Sequence, residues 1–344
     1  MRTGTRSAAV AALTLAASLA ILILGADAQA APGPRFGENL LVPPQIPVRG
    51  RDVPGLAVDP SDPNHIVEAE IDPVNLQCDY NVSFDGGRTW TGGHLTVRRG
   101  GENPPYGPTA CDWNFDAGGY AHFNTGIVFG SGQNVYITFS AHRGGYNRLD
   151  TAPPTQGGAG DESMVARSTD GGRTFQPAVV AIPGSTSPQP VSIRPQIGVQ
   201  RGAGTGGQDL LYVNAWQIHV NNTLGGPRRM LVARSKDGGA TWEQPVVASA
   251  EKVRTPVDAA VSGSEDELIR ETSQPVVGPD GAVYAAYRNV DRPTGTSCPA
   301  NPAAANLSTN CIVVAKSTDL GQTWTQTNTG VPLSGSTGQP RLAI

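Results

Sequence analysis

The sequence predicts an all-β fold, a β-propeller of four-stranded antiparallel blades. Three observations lead there: a short motif that recurs four times, a pair of apolar strands ahead of each copy, and a composition with 43 Gly, 29 Pro and only 16% charged residues. That composition supplies many turns and few of the charged faces that long surface helices need.

The motif reads Ser-x-Asp-x-Gly-x-Thr-aromatic. It occurs as SFDGGRTW from Ser83 to Trp90, STDGGRTF from Ser168 to Phe175, SKDGGATW from Ser235 to Trp242 and STDLGQTW from Ser317 to Trp324. Four matches to five restricted positions exclude chance. The Asp folds back to accept backbone N–H groups in a tight turn, Gly supplies a positive φ and Ser caps the same turn. The aromatic residue is expected to open the outgoing strand and bury its ring between neighbouring sheets.

Ahead of the four boxes stand GLAVDPSDPNHIVEAEI from Gly55, GIVFGSGQNVYITFSA from Gly126, QIGVQRGAGTGGQDLLYVNAW from Gln196 and PVVGPDGAVYAAYRN from Pro275. Each is an apolar strand, a turn and a second apolar strand. With the two strands that flank a box, each unit supplies four strands, which is one blade. The variation between units falls in insertions such as Arg143 to Gly160, the kind of segment that carries function. GQPRLAI, ending at Ile344, reads as the first strand of a fifth unit, and Glu38 to Ile46 could supply an outer strand for ring closure. The expected organisation is a signal peptide over 1–30, a linker over 31–50 and a propeller over 51–344 that is truncated in its fifth blade.

The signal peptide rests on Arg2 and Arg6, the apolar run from Ala8 to Leu24 and the small-residue sequence Ala28-Gln29-Ala30. A secreted protein is expected, with no membrane insertion, because no later stretch approaches the roughly 18 to 20 apolar residues of a span. A net charge of −4 leaves no electrostatic footprint for nucleic acid. Export makes disulfides plausible, and Cys78 with Cys111 and Cys298 with Cys311 would each close a local loop. No metal or other cofactor is expected, since no CxxC spacing occurs and the five histidines are scattered.

The four boxes, at blade spacing and after a signal segment, resemble the Asp-box (BNR) repeats of bacterial exo-α-sialidases, six-bladed propellers that remove terminal sialic acid. Asp boxes also occur in sortilin-type receptors, xyloglucan-cleaving enzymes and plant photosystem assembly factors, so they specify architecture rather than activity. In sialidases they lie at the periphery. For Asp85, Asp170, Asp237 and Asp319 the resemblance therefore implies a structural role.

For catalysis the resemblance implies a different set: three arginines on the sugar carboxylate, a Tyr nucleophile assisted by Glu, and an Asp general acid. The residue types follow from chemistry. A planar guanidinium grips a carboxylate bidentately, as Lys cannot. A neutral Tyr avoids the repulsion that a carboxylate nucleophile would meet from an anionic sugar, which sets sialidases apart from the two-carboxylate scheme.

In the fourth unit the family often reads Glu-Ser-Gln-Val-Val, then Asp-Gly, then Arg seven residues after the Gly. This chain has Glu271-Thr272-Ser273-Gln274-Pro275-Val276-Val277, Asp280-Gly281 and Arg288. Arg288 falls at a carboxylate-binding arginine, while Thr272 stands at the family's Glu and Glu271 one residue early. On a strand that offset reverses side-chain direction unless a bulge restores it. The plain structural alternatives are a strand-end surface arginine for Arg288 and a solvated loop acid beside Arg270 for Glu271.

Arg51, in Arg51-Asp52-Val53-Pro54, resembles the Arg-Ile-Pro opening of the first blade with one residue too many; a loop cation is its other reading. Asp72, before Pro73, stands where the family has its general acid, and a turn-forming Asp-Pro is the alternative. Arg194, in Ile193-Arg194-Pro195, is a further inner-strand arginine, on a blade from which the family's triad does not draw. Asp112 and Asp116 fit Ca²⁺ ligation or turn capping equally.

The third arginine and the Tyr nucleophile match no position before Ile344, and Tyr136, Tyr212, Tyr284 and Tyr287 are expected in blade cores or strands. The implied function is a secreted sialidase-like glycoside hydrolase acting on terminal sialic acid, inactive as this chain stands, with sialylated or other anionic glycans as partners. The alternative is a non-catalytic Asp-box propeller that binds glycans or protein partners at the cell surface. A hydrolase of neutral polysaccharide would need a broader aromatic platform than Trp113 and Trp216, the tryptophans outside the boxes.

Overall fold

Strands form where the sequence alternates or runs apolar between turn signals, and they assemble into four consecutive antiparallel sheets. The computed structural model describes residues 52–72, 77–98, 106–108, 125–141, 162–183, 191–218, 227–249, 252–253, 268–290 and 311–332, with residues 340 and 342. All of them belong to the compact unit Val42–Ile344.

Blade 1 is β1 (Asp52–Asp59), β2 (Asp62–Asp72), β3 (Gln77–Ser83) and β4 (Thr91–His94), paired in that order. A small hairpin follows, β5 (Thr96–Arg98) and β6 (Tyr106–Pro108). Blade 2 is β7 (Gly126–Phe129), β8 (Val135–Ala141), β9 (Glu162–Ser168) and β10 (Val179–Ile182). Blade 3 is β11 (Val191–Gln200), β12 (Leu210–Ile218), β13 (Pro227–Ser235) and β14 (Val246–Val247), with β15 (Lys252–Val253) also on β13. Blade 4 is β16 (Leu268–Thr272) and β17 (Val276–Val277), both on β18 (Val283–Val290), then β19 (Cys311–Ser317) and β20 (Thr325–Pro332). Every blade is a meander in sequence order, the arrangement expected of a propeller.

The core lies between blades. Val67, Val82 and Tyr80 of blade 1 pack on Ile127, Ile137 and Met164 of blade 2. Tyr136 and Val165 of blade 2 pack on Ile197, Leu211 and Val213 of blade 3, and Met230 and Val232 of blade 3 on Tyr287, Val313 and Ala315 of blade 4. Tyr136, Tyr212 and Tyr287 are fully buried, as the sequence leads one to expect. Inner strands approach closely: a methyl added at Gly198 of β11 would run into the Pro275 carbonyl of blade 4.

All four boxes fold alike. Ser Oγ accepts the N–H of the glycine at the fifth motif position at 2.8 Å in each, from Gly87, Gly172, Gly239 and Gly321. The Asp accepts the Thr backbone N–H at 2.8–3.0 Å and the Thr hydroxyl at 2.5–2.6 Å. Gly172 and Gly321 adopt φ of 85° and 83° and lie flat on the preceding blade, where an added Cβ would press on Val67 at 3.0 Å and on the Tyr212 ring at 3.1 Å.

The aromatic residue directly precedes the outgoing strand in blades 1 and 4, but Phe175 and Trp242 stand four residues ahead of β10 and β14. Phe175, Trp242 and Trp324 nonetheless pack on the inter-blade clusters, as anticipated. Cys78 and Cys311 are buried half-cystines at strand starts, while their expected partners Cys111 and Cys298 lie outside the described residues. So do the expected signal segment, Glu38 to Ile46 and the insertion Arg143 to Gly160; of GQPRLAI only residues 340 and 342 are described. Among the described residues no helix is long and apolar enough to cross a membrane.

Candidate functional site

Each blade has two ends, and register tells them apart. The box serines pair across their sheets with Ile66, Val135, Leu211 and Val283 on the second strand. From there the second strand runs away from the box. Arg288 stands five residues beyond Val283, about 17 Å along the strand, and Asp72 stands six beyond Ile66, about 20 Å. Arg288 and Asp72 therefore occupy the ends of their blades opposite the boxes.

Box chemistry agrees with that separation. The Thr89 hydroxyl and N–H hold the Asp85 carboxyl down at about 2, and Thr323 depresses Asp319 in the same way. For Asp170 and Asp237 partial burial pushes upward, but hydrogen bonds from Thr and Ser outweigh it and the result is again lowered. A general acid at neutral pH needs the opposite shift. These carboxylates are turn ligands.

At the far end the inner strands are irregular. β1 is bulged between Asp52 and Gly55, β11 between Ile193 and Gln196, and β16 between Arg270 and Thr272. In β16, Arg270 pairs with Arg288 and Thr272 with Tyr287, so adjacent residues of β18 face residues two apart and Glu271 is the extra one. A bulge of this kind changes side-chain direction by one residue.

The chain just after the bulge is fixed to its neighbours. Thr272 is fully buried, and its hydroxyl donates to Asn214 Oδ1 of β12 at 3.3 Å. Asn214 Nδ2 donates to the Ser273 carbonyl at 2.8 Å. Ser273 Oγ accepts the Ala286 N–H at 2.8 Å, and Gln274 Nε2 donates to the Ile197 carbonyl at 2.9 Å. Thr272, at the position of the family's Glu, is thus turned into the contact with blade 3.

Arg288 is half-buried. Tyr287 and Ala285 use the β18 face that packs on blade 3, so alternation puts Arg288 on the other face. Arg51 lies outside the described residues, as do Asp112 and Asp116 and the side chains of Asp72 and Glu271. The structure brings Arg288 and the Glu271 backbone together on paired strands, and sets Asp72 at the corresponding end of blade 1.

Two polar constellations escape sequence reasoning. In blade 1, Asn81 Nδ2 donates to Glu68 at 2.8 Å and Glu70 at 3.2 Å, and His94 Nδ1 meets Asp79 at 2.5 Å. Among the described residues no group of three His, Cys, Asp or Glu is placed to hold a metal ion. At the turn end, Asp209 of blade 3 accepts bonds from the Ser131 N–H and hydroxyl, Asn134 and Tyr136 of blade 2 and from the Gly202 N–H. Burial pushes its carboxyl up, these bonds outweigh it, and it stays ionised.

The chain is similar in architecture to sialidases. A Trypanosoma rangeli sialidase, solved with the inhibitor DANA, matches at 16% identity and a TM-score of 0.43 over 81% of this chain and 38% of its own. The intramolecular trans-sialidase from Ruminococcus gnavus matches at 13% and 0.44 over 83% and 71%. An endo-arabinase from Bacteroides thetaiotaomicron matches at 15% and 0.41 over 84% and 82%. The chain thus spans about two fifths of the T. rangeli enzyme. No family model and no curated protein matches it. The blade architecture stands on strand order and register.

Proposed function

We propose that this protein is a secreted sialidase-like propeller that recognises terminal sialic acid at the blade ends opposite the Asp boxes. Arg288 takes the sugar carboxylate, with Arg51 as a second arm; Glu271 and Asp72 are the acid–base candidates. The observation that carries the reading is the bulge at Glu271 opposite Arg288, which supplies the one-residue correction the sequence motif needs. Export through the segment from Arg2 to Ala30 and bridges from Cys78 to Cys111 and from Cys298 to Cys311 belong to the same proposal. Saturable calorimetric binding of sialic acid that is lost in Arg288→Ala supports it; absence of binding, or binding indifferent to Arg288, removes it.

A second reading, a non-catalytic glycan binder, is favoured by Thr272. At the family's Glu position it is neutral, buried and committed to Asn214. Turnover of a fluorogenic sialoside separates the two readings. Binding without turnover supports the binder, and turnover abolished by Glu271→Gln supports the enzyme.

A further inference from the structure

A cavity of about 230 Å³ lies between blades 3 and 4 at the box end. Its apolar lining is Val232 of β13 and Val246 of β14, which pair across the sheet, and its polar lining is Arg234, Glu243, Gln244 and Gln322. Gly321 and Gln322 belong to the fourth box, so the cavity is at the opposite end of the blades from Arg288.

The repeat shows which of these groups the architecture requires. Aligned by their boxes, blades 2 and 3 place Val165, Arg167, Val179 and Gly239 where blades 3 and 4 place Val232, Arg234, Val246 and Gly321, and Val179 pairs with Val165 as Val246 pairs with Val232. The valines, the arginine and the glycine recur and belong to the contact between blades. The other three do not recur: Gln176, Pro177 and Ala240 stand at the positions of Glu243, Gln244 and Gln322. Blades 2 and 3 pack with no carboxylate at the first of these positions and no amide at the other two. Packing therefore does not account for Glu243, Gln244 and Gln322.

The polar groups are held in place by the protein itself. Arg234 is buried, with Nε donating to Glu243 Oε2 and Nη1 to the Leu320 carbonyl at 2.9 Å. Lys236 Nζ meets the other Glu243 oxygen at 2.9 Å. Burial pushes the Glu243 carboxyl up, but the bonds from Arg234 and Lys236 outweigh it, so Glu243 is an ionised acceptor at neutral pH. Gln322 Nε2 donates to the Asp319 carbonyl at 3.1 Å, which orients its amide. Within the lining one cation is already paired with one anion, so a charged ligand meets no uncompensated partner. Fixed donors and acceptors beside a valine surface suit an uncharged ligand with several hydroxyls and an apolar C–H face. Pockets for drug-sized ligands measure about 300–1,000 Å³, and this smaller volume matches a single ring.

We propose that the cavity between blades 3 and 4 is a second binding site, for one neutral sugar ring, with Glu243, Gln244 and Gln322 as its recognition groups. It is separate from the sialic-acid reading above and does not rest on it. The test titrates the 344-residue chain with D-glucose, D-galactose and D-mannose by ligand-observed NMR and follows thermal melting in parallel. At least one hexose should bind saturably, with Kd of about 1 mM. Gln322→Ala, which restores the residue of the third box, and Gln244→Ala should each weaken that binding about fivefold to tenfold while melting like the parent. Arg288→Ala should bind the hexose as the parent does. Failure of all three sugars to bind, binding indifferent to both glutamines, or binding lost in Arg288→Ala would each overturn the inference. A marked drop in melting temperature for both glutamine variants would overturn it too, by making those side chains structural.

Discussion

Asn214 on β12 and Thr272 on β16 join blades 3 and 4 through a buried hydrogen bond at the level where both inner strands are bulged. Asn214 has no exposed surface, so truncating it strands the Thr272 hydroxyl and the Ser273 carbonyl without their partner. Asn214→Ala should cost about 2–3 kcal/mol of stability. It should also weaken sialic-acid binding, because the bulges at Arg194 and Glu271 lose their common support. Urea titration and calorimetry check both; lost stability with unaltered binding would separate the clamp from the site.

Asp209 makes the contrasting case. It ties blade 3 to the β7–β8 turn and β8 of blade 2 through four donors, takes a fifth from Gly202 of its own blade, and lies at the box end. Asp209→Ala leaves Tyr136 and Asn134 facing a hole and should cost about 3 kcal/mol. Binding by the molecules that remain folded should be unchanged, measured well below the melting temperature.

The fourth box departs from the others at Leu320, which takes φ of 58° where the first three boxes have Gly86, Gly171 and Gly238 at 64–76°. Its side chain is 40% exposed, and its carbonyl accepts from Arg234 Nη1 at 2.9 Å. Leu320→Gly should therefore stabilise the chain by about 1 kcal/mol. An unchanged or lower melting temperature would show that the leucine side chain contributes packing.

Acid sensitivity follows from the boxes. Asp85 ionises at about 2 in the fold against 3.8 unperturbed, and Asp170, Asp237 and Asp319 are lowered too. The unfolded chain then binds these protons more tightly, so the stabilisation is complete above the unperturbed value and is lost as pH falls towards the folded value. The melting temperature should fall mainly between about pH 4 and pH 2. Asp85→Asn combined with Asp237→Asn should flatten that fall, and an identical slope in the variant would contradict the assignment.

The fold was largely legible because repetition multiplies a weak local signal. Each Asp box is a complete turn whose ligands lie within seven residues, so Ser83 to Trp90 announces its own structure. The candidate site was legible only in part. Arg288 and Glu271 could be placed from a motif, but the bulge that relates them depends on pairing between β16 and β18, which no local spacing encodes. Asp209 and Asn214 gave no signal, since their partners lie on other blades, 73 residues away for Tyr136 and 58 for Thr272. Arg194 could be read as an inner-strand arginine before proline, but not its φ of 54°, since an extended backbone is the default there.

The central claim is that Arg288, far from the boxes, recognises the carboxylate of sialic acid. Calorimetric affinities for N-acetylneuraminic acid and its methyl ester, measured on the parent chain and on Arg288→Ala, test it most directly. The account predicts that the parent binds the free acid about tenfold or more tightly than the ester, and that Arg288→Ala abolishes the difference. Equal affinity of the parent for acid and ester would contradict it.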